Sequence, residues 1–120
     1  MRRYFRSFLY ALRGLGFAVK SEKNFRLEIV IAVIALAVVL FLPFSALERS
    51  LIFLSIALVL TLELANTAFE RIMDILKPRV HPYARVIKDM MAGAVLLTTL
   101  TAIAIGITIF LPHILTAFGF

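Results

Sequence analysis

The chain alternates between long apolar runs and short polar clusters. Residues 29–47, "IVIAVIALAVVLFLPFSAL", hold 19 positions without a formal charge. As a helix, this run covers about 28 Å, near the thickness of a bilayer's hydrocarbon core. Pro43 and Ser45 predict that the helix ends near Leu42. A second run starts around Ser50, is uncharged as far as Leu62, and reaches about Phe69. A third follows Asp89 and includes "MMAGAVLLTTLTAIAIGITIFL", with Pro112 as its expected end. The expected fold is therefore all-α and integral to a membrane, with three transmembrane helices over residues 27–42, 50–69 and 90–111 of a single domain covering residues 1–120.

The N-terminal pattern is different. Over residues 2–20, Arg2, Arg3, Arg6, Ser7, Tyr10 and Arg13 share one arc of a helix, and Phe5, Phe8, Leu9, Leu12 and Leu15 share the opposite arc. Such a helix can lie in the headgroup plane with its apolar side down. Its basic arc has two compatible uses, anchoring to lipid and binding an anionic substrate. The apolar run after it starts too late for a cleaved signal and is followed by further spans.

The second span carries a polar stripe. In "LELANTAFERIMD", Glu63, Asn66, Glu70 and Asp74 fall within about 80° of one another around a helix. Water would accept that face in a soluble protein. Here apolar residues make up 62% of the chain, and mean hydropathy is +1.02, which points to a membrane protein rather than a soluble one. Glu63 lies two turns before Glu70, about 10 Å deeper if Glu70 marks the boundary. A carboxylate at that depth is costly unless it meets a partner, a cavity or the protein interior. Catalysis and helix packing are the two uses open to Glu63 and Asn66.

Charge assigns the sides. Seven basic residues precede the first span, five lie between the second and third, Arg49 alone occupies the first connection, and none follows the third span. The positive-inside rule then puts the N-terminus and the second connection in the cytoplasm and the C-terminus outside. In so apolar a chain, the net charge of +6 suits anionic lipid better than nucleic acid. The absence of cysteine excludes disulfides and thiolate metal sites.

Two further clusters are expected at the cytoplasmic end, "SEKNFRLE" at residues 21–28 and "KDMMAGAV" at residues 88–95. Glu22, Glu28, Glu70, Asp74 and Asp89 offer anionic oxygen there, and Lys23, Arg26 and Lys88 offer positive charge. Magnesium on a nucleotide uses one or two protein carboxylates together with phosphate oxygens and water, and a lysine can stabilise a transferring phosphoryl group. Snorkelling charges at helix ends and close packing through Ala92, Gly93 and Ala94 are the plainer readings. The chain has no "GxxxxGK[ST]", "GxGxxG", "HRD" or "DFG". His81 and His113 have no evident partners, and "KPRVHPYAR" reads as a loop held by Pro78 and Pro82.

Taken together, "EKNFR", "ELANTAFERIMD" and "KDMMAGAV" resemble the signatures of the small bacterial membrane lipid kinases, the prokaryotic diacylglycerol kinase and undecaprenol kinase family. The resemblance runs from about Arg3 through the third span. It implies transfer of the ATP γ-phosphoryl group to a lipid hydroxyl, a homotrimer, and sites at the cytoplasmic boundary of the bacterial cell membrane. It implies Glu63 as the catalytic carboxylate, Glu22 and Glu70 as ligands of Mg2+ on ATP, and Lys88 as a phosphate contact. Asn66, Asp74 and Asp89 match residues that shape the site or touch substrate, Glu28 matches a polar position around the nucleotide, and Arg3 and Tyr10 fall near nucleotide or lipid contacts. Ala92 stands where the diacylglycerol kinase branch has serine. With "NFR" and "AGAV", it favours undecaprenol over diacylglycerol as acceptor. The rival reading is a non-catalytic transporter subunit or assembly protein. A transporter needs a path open alternately to both sides, whereas these polar groups gather toward one.

Overall fold

Each apolar run folds as one helix, and the helices extend beyond the uncharged windows that announce them. The computed structural model describes residues 1–76 and 82–120, and the expected loop segment with Lys77, Pro78, Arg79 and His81 lies outside the described residues. The helices are α1 (Arg2–Ser21), α2 (Lys23–Phe41), α3 (Ala46–Leu76) and α4 (Tyr83–Ala117). No strand occurs among the described residues. α2, α3 and α4 are long and apolar enough to cross a membrane. The 31 residues of α3 correspond to about 46 Å of helix, longer than a hydrocarbon core of about 30 Å. The excess carries the charged C-terminal turns of α3 toward water.

The junction between α1 and α2 is a single extended residue, Glu22, with φ −114° and ψ 112°. Its backbone N–H still donates to Ala18 O at 2.9 Å. The Arg26 guanidinium reaches back to Val19 O at 2.9 Å and Lys20 O at 3.0 Å. Those bonds satisfy carbonyls that the end of α1 would otherwise leave open. The result is a tight elbow between the amphipathic helix and the first span. Both arcs of α1 are exposed, including Phe5 and Phe8, which leaves the apolar arc available to lipid.

α2 ends at Leu42, as Pro43 dictates. The following turn starts α3 with a reciprocal cap. Glu48 N–H donates to Ser45 Oγ at 3.1 Å, and Ser45 N–H donates to Glu48 Oε2 at 2.8 Å. This is the S-x-x-E capping box, legible as "SALE" but read from sequence only as a short turn. A small core of Val39, Phe44, Ile52 and Ile109 closes this end of the bundle. Phe44 meets Phe110 edge-on, with centroids 5.3 Å apart. Lipid is as apolar as these side chains, so shape fit and dispersion, not escape from water, hold them together.

Two expectations fail at the same end. α4 does not stop at Pro112 but runs on to Ala117. Proline removes one backbone donor, and a membrane helix tolerates that loss when the surrounding turns stay bonded. Thr116 Oγ1 donates to Pro112 O at 2.8 Å. The actual stop is Gly119, whose φ of +81° supplies the left-handed residue of a Schellman motif. Gly119 N–H donates to Thr116 O, and Phe120 N–H donates to Leu115 O at 2.9 Å. His113 also has partners after all. Its Nε2 lies 3.2 Å from Glu48 Oε1, and its ring lies 4.1 Å from that of Phe44. It sits one turn inside a longer helix than the proline suggested, which brings it onto the face packed against the start of α3.

α3 packs chiefly on α4 and next on α2, while α1 touches both α2 and α3. α4 buries only Ala84 and Ile109 against the rest of the chain. Its remaining apolar surface is left to lipid or to other protein.

Candidate active site

The elbow at Glu22, the first turns of α2, the last turns of α3 and the first turns of α4 all belong to the end of the bundle opposite the Phe44 core. Antiparallel packing of α3 on α4 follows from a connection of only six residues, 77–82. It places Glu70 and Asp74 at the same end of the bundle as Lys88 and Asp89.

Glu63 is the buried group of the set, at 7% exposure, with Thr67 one turn on at 5%. Burial withdraws the Glu63 carboxylate from water, and no described residue offers it an ion pair. Instead it feels the charges of Glu70 and Glu22. Glu28, half-buried on α2, in turn feels the charge of Glu63. The four glutamates Glu22, Glu28, Glu63 and Glu70 thus come from two helices, α2 and α3, and the elbow between α1 and α2. Glu28 Oε2 is buried and lacks a hydrogen-bond partner among the described residues. Uncompensated buried carboxylates are expensive in an apolar setting and mark functional positions.

The remaining residues read from sequence are arranged around this group. Asn66 is half-buried on the turn between Glu63 and Glu70. Glu70, Asp74, Lys88 and Asp89 are exposed. Arg3 and Tyr10 stand away from the carboxylates on the outer part of α1. At about 1.5 Å per residue, they lie roughly 28 Å and 18 Å from Glu22 along the helix. Together with Arg2, Arg6 and Ser7 they line an open basic depression of their own. The Arg13 guanidinium lies 5.8 Å from the centroid of the Tyr10 ring.

Two residues escaped the sequence reading. Thr67 follows Glu63 by four positions and shares its buried face, a spacing that was available. Arg71 counted only as a topology charge. Its Nη2 donates to Glu22 Oε1 at 3.0 Å across 49 residues of sequence, and no local pattern announces such a contact.

A groove of about 320 Å³ runs between α2, α3 and α4, with Glu28 at one end and Phe110 at the other. Among the described residues, Glu28 is the sole charged one in its lining, and Ile31, Ala32, Ala35, Val59, Ile103 and Gly106 supply much of the apolar wall. Among the described residues, no group of three or more acidic or histidine side chains stands close enough to enclose a metal by itself. A nucleotide-borne magnesium asks for less, one or two carboxylates beside phosphate and water. Glu22 spends only Oε1 on Arg71, and Glu70 is exposed, so the donor set fits that lesser demand.

Three membrane-crossing helices with an acidic group and a lysine gathered at one end define an integral-membrane protein with a one-sided polar site. The model of the prokaryotic diacylglycerol kinase family matches residues 9–110, and the chain belongs to that family of lipid kinases. It is 36% identical over 114 residues to undecaprenol kinase of Bacillus subtilis (strain 168), covering 95% of this chain and 93% of that one. It is 34% identical over 111 residues to a diacylglycerol kinase of Synechocystis, covering 92% of this chain and 63% of the relative. To diacylglycerol kinase of Escherichia coli (strain K12) it is 32% identical over 94 residues, covering 78% and 77%. The chain is therefore a kinase, and the transporter and assembly readings fall away.

Proposed function

We propose that the chain transfers the γ-phosphoryl group of ATP to the hydroxyl of a polyprenol such as undecaprenol at the cytoplasmic face of the bacterial cell membrane. The observation that carries this reading is the buried Glu63 carboxylate, 7% exposed and without an ion-pair partner among the described residues, on the same stripe of α3 as Glu70. Glu63 accepts the proton of the lipid hydroxyl as its oxygen attacks phosphorus. Asn66, one turn away, orients the acceptor or the phosphate. Lys88 takes up charge on the transferring group, with Asp89 and Asp74 shaping the pocket. Glu22 and Glu70 would hold Mg2+, and Glu28 borders the nucleotide. Held there, the metal would neutralise phosphate charge. Arg3 and Tyr10 extend the site toward nucleotide or lipid along the basic face of α1. The apolar groove ending at Glu28 suits part of a long prenyl chain.

A flat 60 × 42 × 22 Å subunit with most of α4 unburied supports assembly, and a homotrimer is our reading. Native mass spectrometry from detergent should give three copies; a monomer or dimer as the active species would refute it. The basic asymmetry orients the subunit. Cysteines placed at Ser45 and Thr116 should react with an impermeant external reagent, and one at Arg85 should not. The reverse labelling pattern would invert the topology.

The acceptor is tested with purified protein in mixed micelles containing MgATP and either a polyprenol or diacylglycerol at matched surface fraction. Higher catalytic efficiency with the polyprenol is the expected result. Ala92, together with the 36% identity to an undecaprenol kinase, favours it. The Synechocystis and Escherichia coli relatives favour the second reading, diacylglycerol, and a clear preference for that lipid would establish it.

A further inference from the structure

Arg71 makes an unusual set of contacts for a residue at the exposed end of a span. Its Nη2 donates to Glu22 Oε1 at 3.0 Å, and its guanidinium carbon lies 5.6 Å from the centroid of the Phe17 ring. Phe17 is on α1, Glu22 is the elbow, and Arg71 is on α3. One side chain therefore ties the surface helix and the elbow to the helix that carries Glu63 and Glu70. The two paired side chains are 49% and 25% exposed. An ion pair that open contributes little net stability. Its effect is on orientation. Glu22 occupies the one extended residue between two helices, outside the regular backbone of either. Arg26, the other nearby arginine, is engaged with the Val19 and Lys20 carbonyls. A planar guanidinium can lie against a ring while donating in its own plane to a carboxylate, which an ammonium cannot do.

We propose that Arg71 is a positioning residue for the metal-bound nucleotide, holding Glu22 by one carboxylate oxygen and leaving the other for magnesium. This inference rests on the reading of Glu22 as a magnesium ligand. Carboxylates that bind metals are themselves held by hydrogen bonds, and loss of such an outer partner costs about 10–100-fold in affinity. Arg71 acts here through Glu22 and the Phe17 ring, so on this proposal its loss should leave the acceptor KM unchanged.

The test is Mn2+ binding, read by electron paramagnetic resonance on the full-length protein in detergent with a non-hydrolysable ATP analogue. Arg71→Gln should weaken Mn2+ binding on the order of 10-fold. Half-saturating MgATP should rise in turnover assays while the acceptor KM holds, and Arg71→Lys should recover part of the loss. Glu22→Gln is measured in parallel. If Glu22→Gln binds Mn2+ like the wild type, the metal reading itself fails and this inference with it. If Glu22→Gln is weakened and Arg71→Gln is not, only the positioning role is overturned. Tighter binding by Arg71→Gln would make Arg71 a competitor of the metal and overturn the role equally. Where Arg71→Gln does not assemble, Phe17→Leu removes the ring under the guanidinium without altering a charge. It should weaken Mn2+ binding a few-fold, and unchanged binding there overturns the proposal.

Discussion

Glu63→Gln should abolish most phosphoryl transfer while leaving a folded assembly that still binds MgATP. The substitution keeps the volume and part of the hydrogen-bonding capacity of a side chain that is only 7% exposed. On the proposed mechanism, what it removes is the base. A positioned general base contributes about 10²–10⁴-fold, so a loss on the order of 100-fold or more is expected in kcat. The amide also removes a charge from a buried position that has no ion-pair partner among the described residues, so the fold should not suffer. This sets the outcome apart from a packing role. If Glu63 served to join helices, Glu63→Gln would disturb oligomer size before turnover. Lipid-kinase turnover, nucleotide affinity and oligomer size measured on one preparation decide the matter. Turnover near that of the wild type would remove Glu63 from the chemistry.

Glu22→Gln and Glu70→Gln should each raise the magnesium requirement and weaken MgATP binding. For a direct ligand, the loss should meet or exceed the roughly 10–100-fold expected of an outer partner. The two variants should differ in one respect. Glu22 is held by Arg71 at the elbow, whereas Glu70 is exposed on α3 and makes no ion pair with a described residue. Glu22→Gln therefore also frees Arg71 and loosens the tie between α1 and α3, and Glu70→Gln leaves that tie intact. Protease accessibility of α1 should rise in the first variant and not in the second. Magnesium titrations and equilibrium nucleotide binding provide the main readout. Wild-type dependence on magnesium in both variants would take these glutamates out of the metal site.

The linear pattern was enough to determine the class of fold. Runs of about 20 apolar residues have one inexpensive solution in a bilayer, a helix that satisfies its own backbone. The three runs, the amphipathic N-terminal segment and the stop at Leu42 were legible for that reason. The polar stripe at Glu63, Asn66, Glu70 and Asp74 was legible as well, because helical spacing alone puts residues on one face. Helix ends were less so. Pro112 reads as a stop, but a proline costs one bond, and the left-handed Gly119 ends the helix seven residues later. Contacts between segments were out of reach. The pairing of Arg71 with Glu22 and the Glu48–His113 contact join residues 49 and 65 positions apart. Periodicity fixes which side of its own helix a residue occupies. Which neighbour it meets depends on how far each helix slides and turns against the next, and only packing of the whole bundle sets that.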